Sequence, residues 1–212
     1  FVKGSYPLTK LIPIPKIEFR KEELYKLWVK TRSQGWKLRG VDHPLMDLEQ
    51  AGYSSLFAYR FDWDEEPTFA WIDYAKYLGA AHGLEIPFIF DSINRENLLA
   101  NIIYDDVNIK SDQVLADQMG KYWINFAYSG NPNIGPYNDL VEWQDWSKDS
   151  QRYIIFDSNN DQGIAMRINT DSGTTLMQGL ASEPIKVSQK CYIVDKIFIN
   201  TTLAKDQVKI FY

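Results

Sequence analysis

The sequence is short of the residues from which covalent and metal-bound frameworks are built. Its 212 residues include one cysteine, Cys191, and two histidines, His43 and His82. A single cysteine excludes an internal disulfide and a cysteine-based metal site, and it leans towards a reducing compartment. Two histidines far apart in the chain, with no cysteine partner, make a poor ligand set, so no metal is expected. No apolar run approaches the roughly 18 residues needed to cross a bilayer, so no membrane span is expected. The opening FVKGSYPLTKLIPIPK carries three prolines and no uninterrupted apolar stretch, unlike a signal peptide. Basic clusters are missing too. Lys and Arg are scattered through a chain of net charge −5, which argues against nucleic acid as a partner.

What is present describes an ordinary globular chain. A length of 212 residues suits one large domain or part of one. The aromatic share, 15%, is high enough to fill a core and also to line an apolar pocket. Asn200-Thr201-Thr202 forms an N-glycosylation sequon, which matters only if the protein is secreted from a eukaryotic cell.

The prolines predict an extended stretch up to Pro15. Leu24, Leu27 and Trp28 at helical spacing predict a helix from Glu22 to about Arg32, ending near Gly35. A short helix is expected from Pro44 to Gln50, with Asp42 as N-cap and Gly52 as stop. In Ser55 to Trp63, Phe57, Tyr59, Phe61 and Trp63 recur at period two, which predicts a strand closed by Asp64-Glu65-Glu66-Pro67. The clearest helix runs from Ser111 to Ser129. Its stripe is Leu115, Met119, Tyr122 and Phe126, widened by Val114 and Trp123. Ser111 suits its N-cap, Asp112 its positive dipole end, and Gly130 its termination. A second strand is expected at Gln151 to Phe156, and the tail from Ser158 reads as polar loops with short apolar runs. This alternation implies an α/β architecture. Two clear strands cannot make a stable sheet of that kind alone, so further strands are expected elsewhere.

The histidines differ in setting. His43, in Val-Asp-His-Pro, reads as a partly exposed residue at a helix start. His82 lies between Ala81 and Gly83, on a loop after a strand, in a segment that otherwise reads as buried. Loops beyond the carboxyl ends of strands are where α/β sheets usually place reactive groups, but a structural histidine is equally compatible with that position.

The segment Gly79-Ala80-Ala81-His82-Gly83-Leu84-Glu85-Ile86-Pro87-Phe88-Ile89-Phe90 resembles the catalytic-histidine region of type B carboxylesterases and cholinesterases. LFAYRFDW resembles that family's strand before the histidine loop, and MGKYWINFAYSGNPN its helix ending in Gly-Asn-Pro-Asn. Trp143 and Trp146 resemble the tryptophan-containing stretch before the last strand, and Lys190-Cys191 a terminal basic–cysteine pair. The resemblance covers about residues 20 to 157 in order and spacing, and is weak beyond.

The resemblance implies the C-terminal part of a single α/β-hydrolase domain, with a central mixed, mostly parallel sheet flanked by helices. It implies hydrolysis of small carboxylic esters through an acyl-serine, without cofactor, with His82 as general base. Imidazole suits the task because it exchanges protons near neutral pH. The serine should lie on a Gly-x-Ser-x-Gly elbow, and this chain has none. Gly52-Tyr53-Ser54-Ser55-Leu56 lacks the closing glycine and Tyr128-Ser129-Gly130 the opening one. The order serine, acid, histidine places both missing members before Phe1, in an N-terminal part of the same domain that would be this chain's partner. In smaller α/β-hydrolases the acid lies nearer, which would make Glu49, Asp62 or Asp64 candidates; Glu85 reads as a structural acceptor. Phe57, Tyr59, Phe69, Trp71 and Phe88 are candidates for an apolar acyl or alcohol pocket, with plain packing as the alternative at each. A different class remains open: a cholinesterase-like domain used for adhesion or recognition, without catalysis.

Overall fold

The structure, a computed structural model, describes residues 2–5, 16–19, 21–69, 71–95 and 98–197. The chain forms two compact units, Tyr53–Asn169 and a second made of Phe1–Gly52 with Thr170–Tyr212.

The unit Tyr53–Asn169 is built on a three-stranded sheet. Strand β3, Tyr59–Phe61, lies parallel to β6, Arg152–Phe156, and β6 lies antiparallel to β7, Ala165–Ile168. The sheet is mixed, as expected, but among the described residues it is not mostly parallel. In β6 the consecutive residues Ile154, Ile155 and Phe156 are all buried, as befits a central strand covered on both faces. The predicted strand over Ser55–Trp63 shrinks to its middle: the ladder to β6 reaches from the Ala58 carbonyl to the Asp62 amide, and before it the chain bonds to the tryptophan stretch instead. The Leu56 carbonyl accepts from the Trp146 amide, and the Ala58 carbonyl accepts from both the Ile154 amide and the Trp143 indole. Period two survives in part: Phe57, Phe61 and Trp63 pack into the core. Leu56 and Ala58, on the opposite face, are buried as well. A short hairpin follows, β4 Thr68–Phe69 against β5 Ile72–Asp73. Helices α3, Tyr74–Tyr77, and α4, Glu85–Ile89, then lead to α5, Leu98–Ile103, and α6, Ile109–Ser129.

Helix α6 starts two residues before Ser111. The Asp105 carboxylate accepts the amides of Val107 and Asn108 and holds the chain just ahead of the first turn. Asp112 lies in the first turn, at the positive dipole end expected of it. It is fully buried and accepts from the Trp63 indole at 2.8 Å. The buried face runs through Asp112, Leu115, Ala116, Met119, Tyr122 and Asn125, which leaves Val114 and Phe126 about half exposed at its margins. Gly130 ends the helix at φ +76, a left-handed conformation in which any other residue would be strained. The loop after it is fastened by two asparagines. Asn133 exchanges both of its amide groups with the Trp143 backbone, and buried Asn125 bonds Pro132 and Tyr137. Trp143 and Trp146 are both buried.

The other unit is mainly helical. Helix α1 runs Glu22–Lys37 and passes through a π-helical turn, Leu38–Asp42, directly into α2, His43–Gln50. The expected stop at Gly35 does not occur: Gly35 is buried within α1, and the chain stays helical past it. Asp42 is not a cap either. Its backbone is helical and its carboxylate pairs with Lys37 at 2.8 Å. Gly52, at φ +94 after Ala51, does terminate α2.

The tail read as loops contains two helices, α7 Gly173–Ser182 and α8 Val187–Ile197. A reciprocal cap between Ser172 and Thr175 starts α7. Leu176, Met177 and Leu180 of α7 meet Ile193, Val194 and Ile197 of α8 in one core, with Leu24, Leu27 and Trp28 of α1 against it. Lys190 is buried with its ammonium donating to the Ala181 carbonyl. Strand β1, Val2–Ser5, pairs antiparallel with β2, Lys16–Phe19. Most of the proline-rich opening and the sequon at Asn200 lie outside the described residues. Among those described, no helix is long and apolar enough to cross a membrane.

Candidate active site

His82 stands on the loop between α3 and α4, and both flanks of that loop are pinned. The Asp73 carboxylate caps α3 by accepting the Lys76 amide at 3.0 Å. Gly79, at φ +54, turns the chain out of α3, and Gly83, at φ +95, turns it into α4. These two glycines flank the histidine because both turns need left-handed backbone. On the far side Phe88 drops into the core and meets the rings of Phe61, Trp63 and Tyr104 at 5.1–6.2 Å.

Glu85 joins the pinning to the imidazole. Its Oε2 accepts the Gly83 amide at 2.7 Å, and its Oε1 lies 3.8 Å from His82 Nδ1. The carboxylate is therefore the backbone acceptor that the sequence suggested, and it also faces one imidazole nitrogen. At 3.8 Å that contact is longer than a hydrogen bond, so Glu85 sets a negative charge beside Nδ1 without fixing the ring.

One expectation is corrected. The His82 segment is not buried: the imidazole is 72% exposed, and Leu78, Ile86 and Phe90 beside it also face outward. The two glycines on either side of the histidine serve the turns. The residue also follows a short helix rather than a strand directly. His43 is exposed at the first turn of α2, as expected.

Of the other acid candidates, Asp62 and Asp64 follow β3 in this unit. The Asp62 carboxylate is held by the Arg60 guanidinium at 2.5–2.6 Å, and Asp64 sits in an acidic neighbourhood with Asp161 and Asp62. Glu49 lies in the other compact unit, near the end of α2. The aromatic candidates divide. Phe88 and Phe57 belong to the core packing, and Tyr59 stacks edge-on against Trp123 at 5.2 Å. Phe69 is half-buried in β4. Trp71 stands half-exposed at the hairpin tip with a left-handed φ of 63. A cleft of about 340 Å³ touches Phe57 but is otherwise lined mainly by polar groups, among them Ser54, Ser55, Asn131 and Arg152.

Sequence reasoning missed a group of buried carboxyls near the ends of β3 and β6. Glu65 accepts from the Ser158 hydroxyl. Glu66 and Asp157 are buried, and each has at least one carboxyl oxygen with no hydrogen-bond partner. Burial pushes Glu66 up to about 7, and Asp64, Glu65 and Asp73 push in the same direction. Burial likewise raises Asp112 to about 7, against the lowering effect of its Trp63 hydrogen bond. The available signal was an acidic run placed straight after an apolar strand, together with an aspartate on the apolar side of a helix. No three His, Cys, Asp or Glu among the described residues are arranged to hold a metal ion.

The profile of the carboxylesterase family matches residues 42–174. The chain belongs to the carboxylesterase family. The match contains the whole unit Tyr53–Asn169 and therefore the His82 loop. Similar curated members include a para-nitrobenzyl esterase of Bacillus subtilis, 29% identical over 51% of this chain and 19% of that protein. Carboxylesterase 4A of Bos taurus is 37% identical over 42% of this chain and 14% of its own length. Acetylcholinesterase of Electrophorus electricus is 31% identical over 61% of this chain and 17% of its own length. The chain thus spans less than a fifth of these carboxylesterase relatives. Among solved structures, a carboxylesterase of Geobacillus stearothermophilus matches 72% of this chain and 30% of its own, at 19% identity and a TM-score of 0.45.

Proposed function

We propose that this chain is the C-terminal part of an α/β-hydrolase domain and supplies the general base, His82, of a serine carboxylesterase. The observation that carries the reading is the pinned loop. Within the family-matched span, an accessible imidazole is presented between two turn glycines, with a carboxylate facing Nδ1. Nε2 would take the proton of a serine hydroxyl as that oxygen attacks an ester carbonyl, and would return it to the leaving alcohol. It would then deprotonate the water that releases the acyl group from the serine.

This chain has no Gly-x-Ser-x-Gly elbow, so the serine and the triad acid are assigned to the part of the domain outside residues 1–212. That part would also cover the outward-facing Leu78, Ile86 and Phe90 beside His82. The substrate is a small carboxylic ester, a reading supported by the likeness to the Bacillus para-nitrobenzyl esterase and the Bos carboxylesterase. In the intact protein, His82→Ala is expected to lower turnover of a short p-nitrophenyl ester by on the order of 10⁴. His43→Ala should leave turnover nearly unchanged. Equal losses in the two variants would overturn the assignment, and activity retained by both would favour a recognition domain.

A further inference from the structure

Trp71 is the residue of the β4–β5 hairpin that neither packing nor the proton transfers at His82 account for. It is the second of the two residues joining Phe69 of β4 to its ladder partner Ile72 of β5. Its φ is +63. Two-residue turns that need left-handed backbone at this place usually carry glycine or asparagine there, because a bulky side chain costs free energy that glycine does not. The hairpin is held at its base, where Ile72 is buried and the Asp73 carboxylate caps α3. The strained backbone secures little packing in return. The indole is 52% exposed, and no ring contact or hydrogen bond engages it among the described residues. Backbone strain of this kind persists where the side chain it presents is put to use.

The position of the hairpin narrows that use. Strands β3 and β6 run parallel, and residues 62–108 lead from the carboxyl end of β3 to α6. The crevice outside the carboxyl ends of parallel strands is where α/β sheets bind their ligands. Trp71 and His82 lie in this one connection, with β5, α3 and the turn after it between them, and α3 packs on β4.

We infer that Trp71 is a specificity-determining residue whose indole forms part of the wall along which the apolar chain of the ester lies. The inference rests on His82 being the base of a serine esterase. An exposed indole offers apolar contact that grows with the length of an acyl or alkoxy chain, whereas a methyl group is too short to gain much from it.

Steady-state kinetics on the intact protein test this in two series. p-Nitrophenyl acetate against p-nitrophenyl hexanoate reads the acyl side, and methyl acetate against hexyl acetate reads the alcohol side. Trp71→Gly, which suits the left-handed backbone, should lower the preference in kcat/KM for the longer chain by about tenfold in at least one series. That series names the chain concerned. Turnover of the acetates should be nearly unchanged, and Trp71→Phe should retain most of the preference. A preference unaltered in both series, or equal losses at both chain lengths, would overturn the inference.

The unmodified protein gives a second reading that needs no variant to fold. One p-nitrophenyl phosphonate carries a hexyl chain on phosphorus and another on its ester oxygen, and its counterpart carries two methyl groups. With the hexyl adduct on the serine, the peptide of residues 68–76 should be oxidised by hydroxyl radicals several-fold less at Trp71 than with the methyl adduct. Equal oxidation in the two adducts, or a Trp71 already shielded before labelling, would contradict the inference. If neither reagent labels a serine, the esterase reading itself fails and takes this inference with it, an outcome distinct from labelling without shielding.

Discussion

Replacing Asn125 with alanine should destabilise the Tyr53–Asn169 unit more than almost any other change that removes no apolar packing. Asn125 is fully buried on α6. Its Nδ2 donates to the carbonyls of Pro132 and Tyr137 at 3.0 and 2.7 Å, and its Oδ1 accepts the Tyr137 amide at 3.1 Å. The loop closes so tightly here that a Cβ added to Gly135 would lie 2.3 Å from Oδ1. Three hydrogen bonds at about 1 kcal/mol net each, with their partners stranded on the loop, put the loss at about 3 kcal/mol. Water entering the vacated space lowers this and strain raises it, so about 2–4 kcal/mol is expected. Urea unfolding followed by tryptophan fluorescence should show a lower midpoint with an unchanged slope. Asn125→Asp separates donors from shape. It keeps Oδ1 but sets a carboxylate against two carbonyls, so its cost should be larger at pH 7 and shrink as acid restores a donor. A loss below about 0.5 kcal/mol for Asn125→Ala would refute the reasoning. An Asn125→Asp variant as stable as the parent would do the same.

Gly130→Ala should cost about 1 kcal/mol, because the C-terminal cap of α6 needs φ +76 there; unfolding by urea reads the loss, and a stabilised variant would contradict the cap. For the histidine loop, Glu85→Ala should lower kcat/KM of the intact protein by about tenfold to a hundredfold, the equivalent of one charge-assisted hydrogen bond. Glu85→Gln, which can still accept the Gly83 amide, should lose less. Steady-state kinetics on a p-nitrophenyl ester test both, and an unaffected alanine variant would remove Glu85 from any role in holding His82.

Much of the fold was legible wherever a residue type answers to one physical demand. Gly52 and Gly130 stop helices because left-handed backbone tolerates little else, and both do so here. The stripe Leu115, Met119 and Tyr122 sits on the buried side of α6 because helical period alone dictates it. The failures come where two demands compete. Asp112 does stand at the dipole end of α6, but its burial against the Trp63 indole was not legible from that position. Asp42 looked like a cap, but Lys37 is within reach and the helix runs on through a π turn. Gly35 was read as a stop, yet it lies buried inside α1 without the left-handed backbone that ends a helix. Helices α7 and α8 were missed because each is short, and their apolar faces make sense only against each other and α1. At the site, His82 and its glycines stood out from their setting, and Glu85 was assigned the acceptor role that it fills. The carboxyls of Glu66 and Asp157 did not stand out, since nothing local distinguishes a buried acid from one that ends a strand.

Labelling of the intact protein with a fluorophosphonate tests most directly whether His82 is the base of a serine esterase. Such reagents react efficiently only with a serine whose proton is withdrawn by a neighbouring base near donors for the developing oxyanion. One labelled serine is expected, located by peptide mass spectrometry outside residues 1–212. Labelling should be lost in His82→Ala, kept in His43→Ala, and weakened in acid, where a protonated imidazole cannot accept the serine proton. No uptake by the folded intact protein, uptake indifferent to His82→Ala, or a label on a serine within residues 1–212 would contradict it.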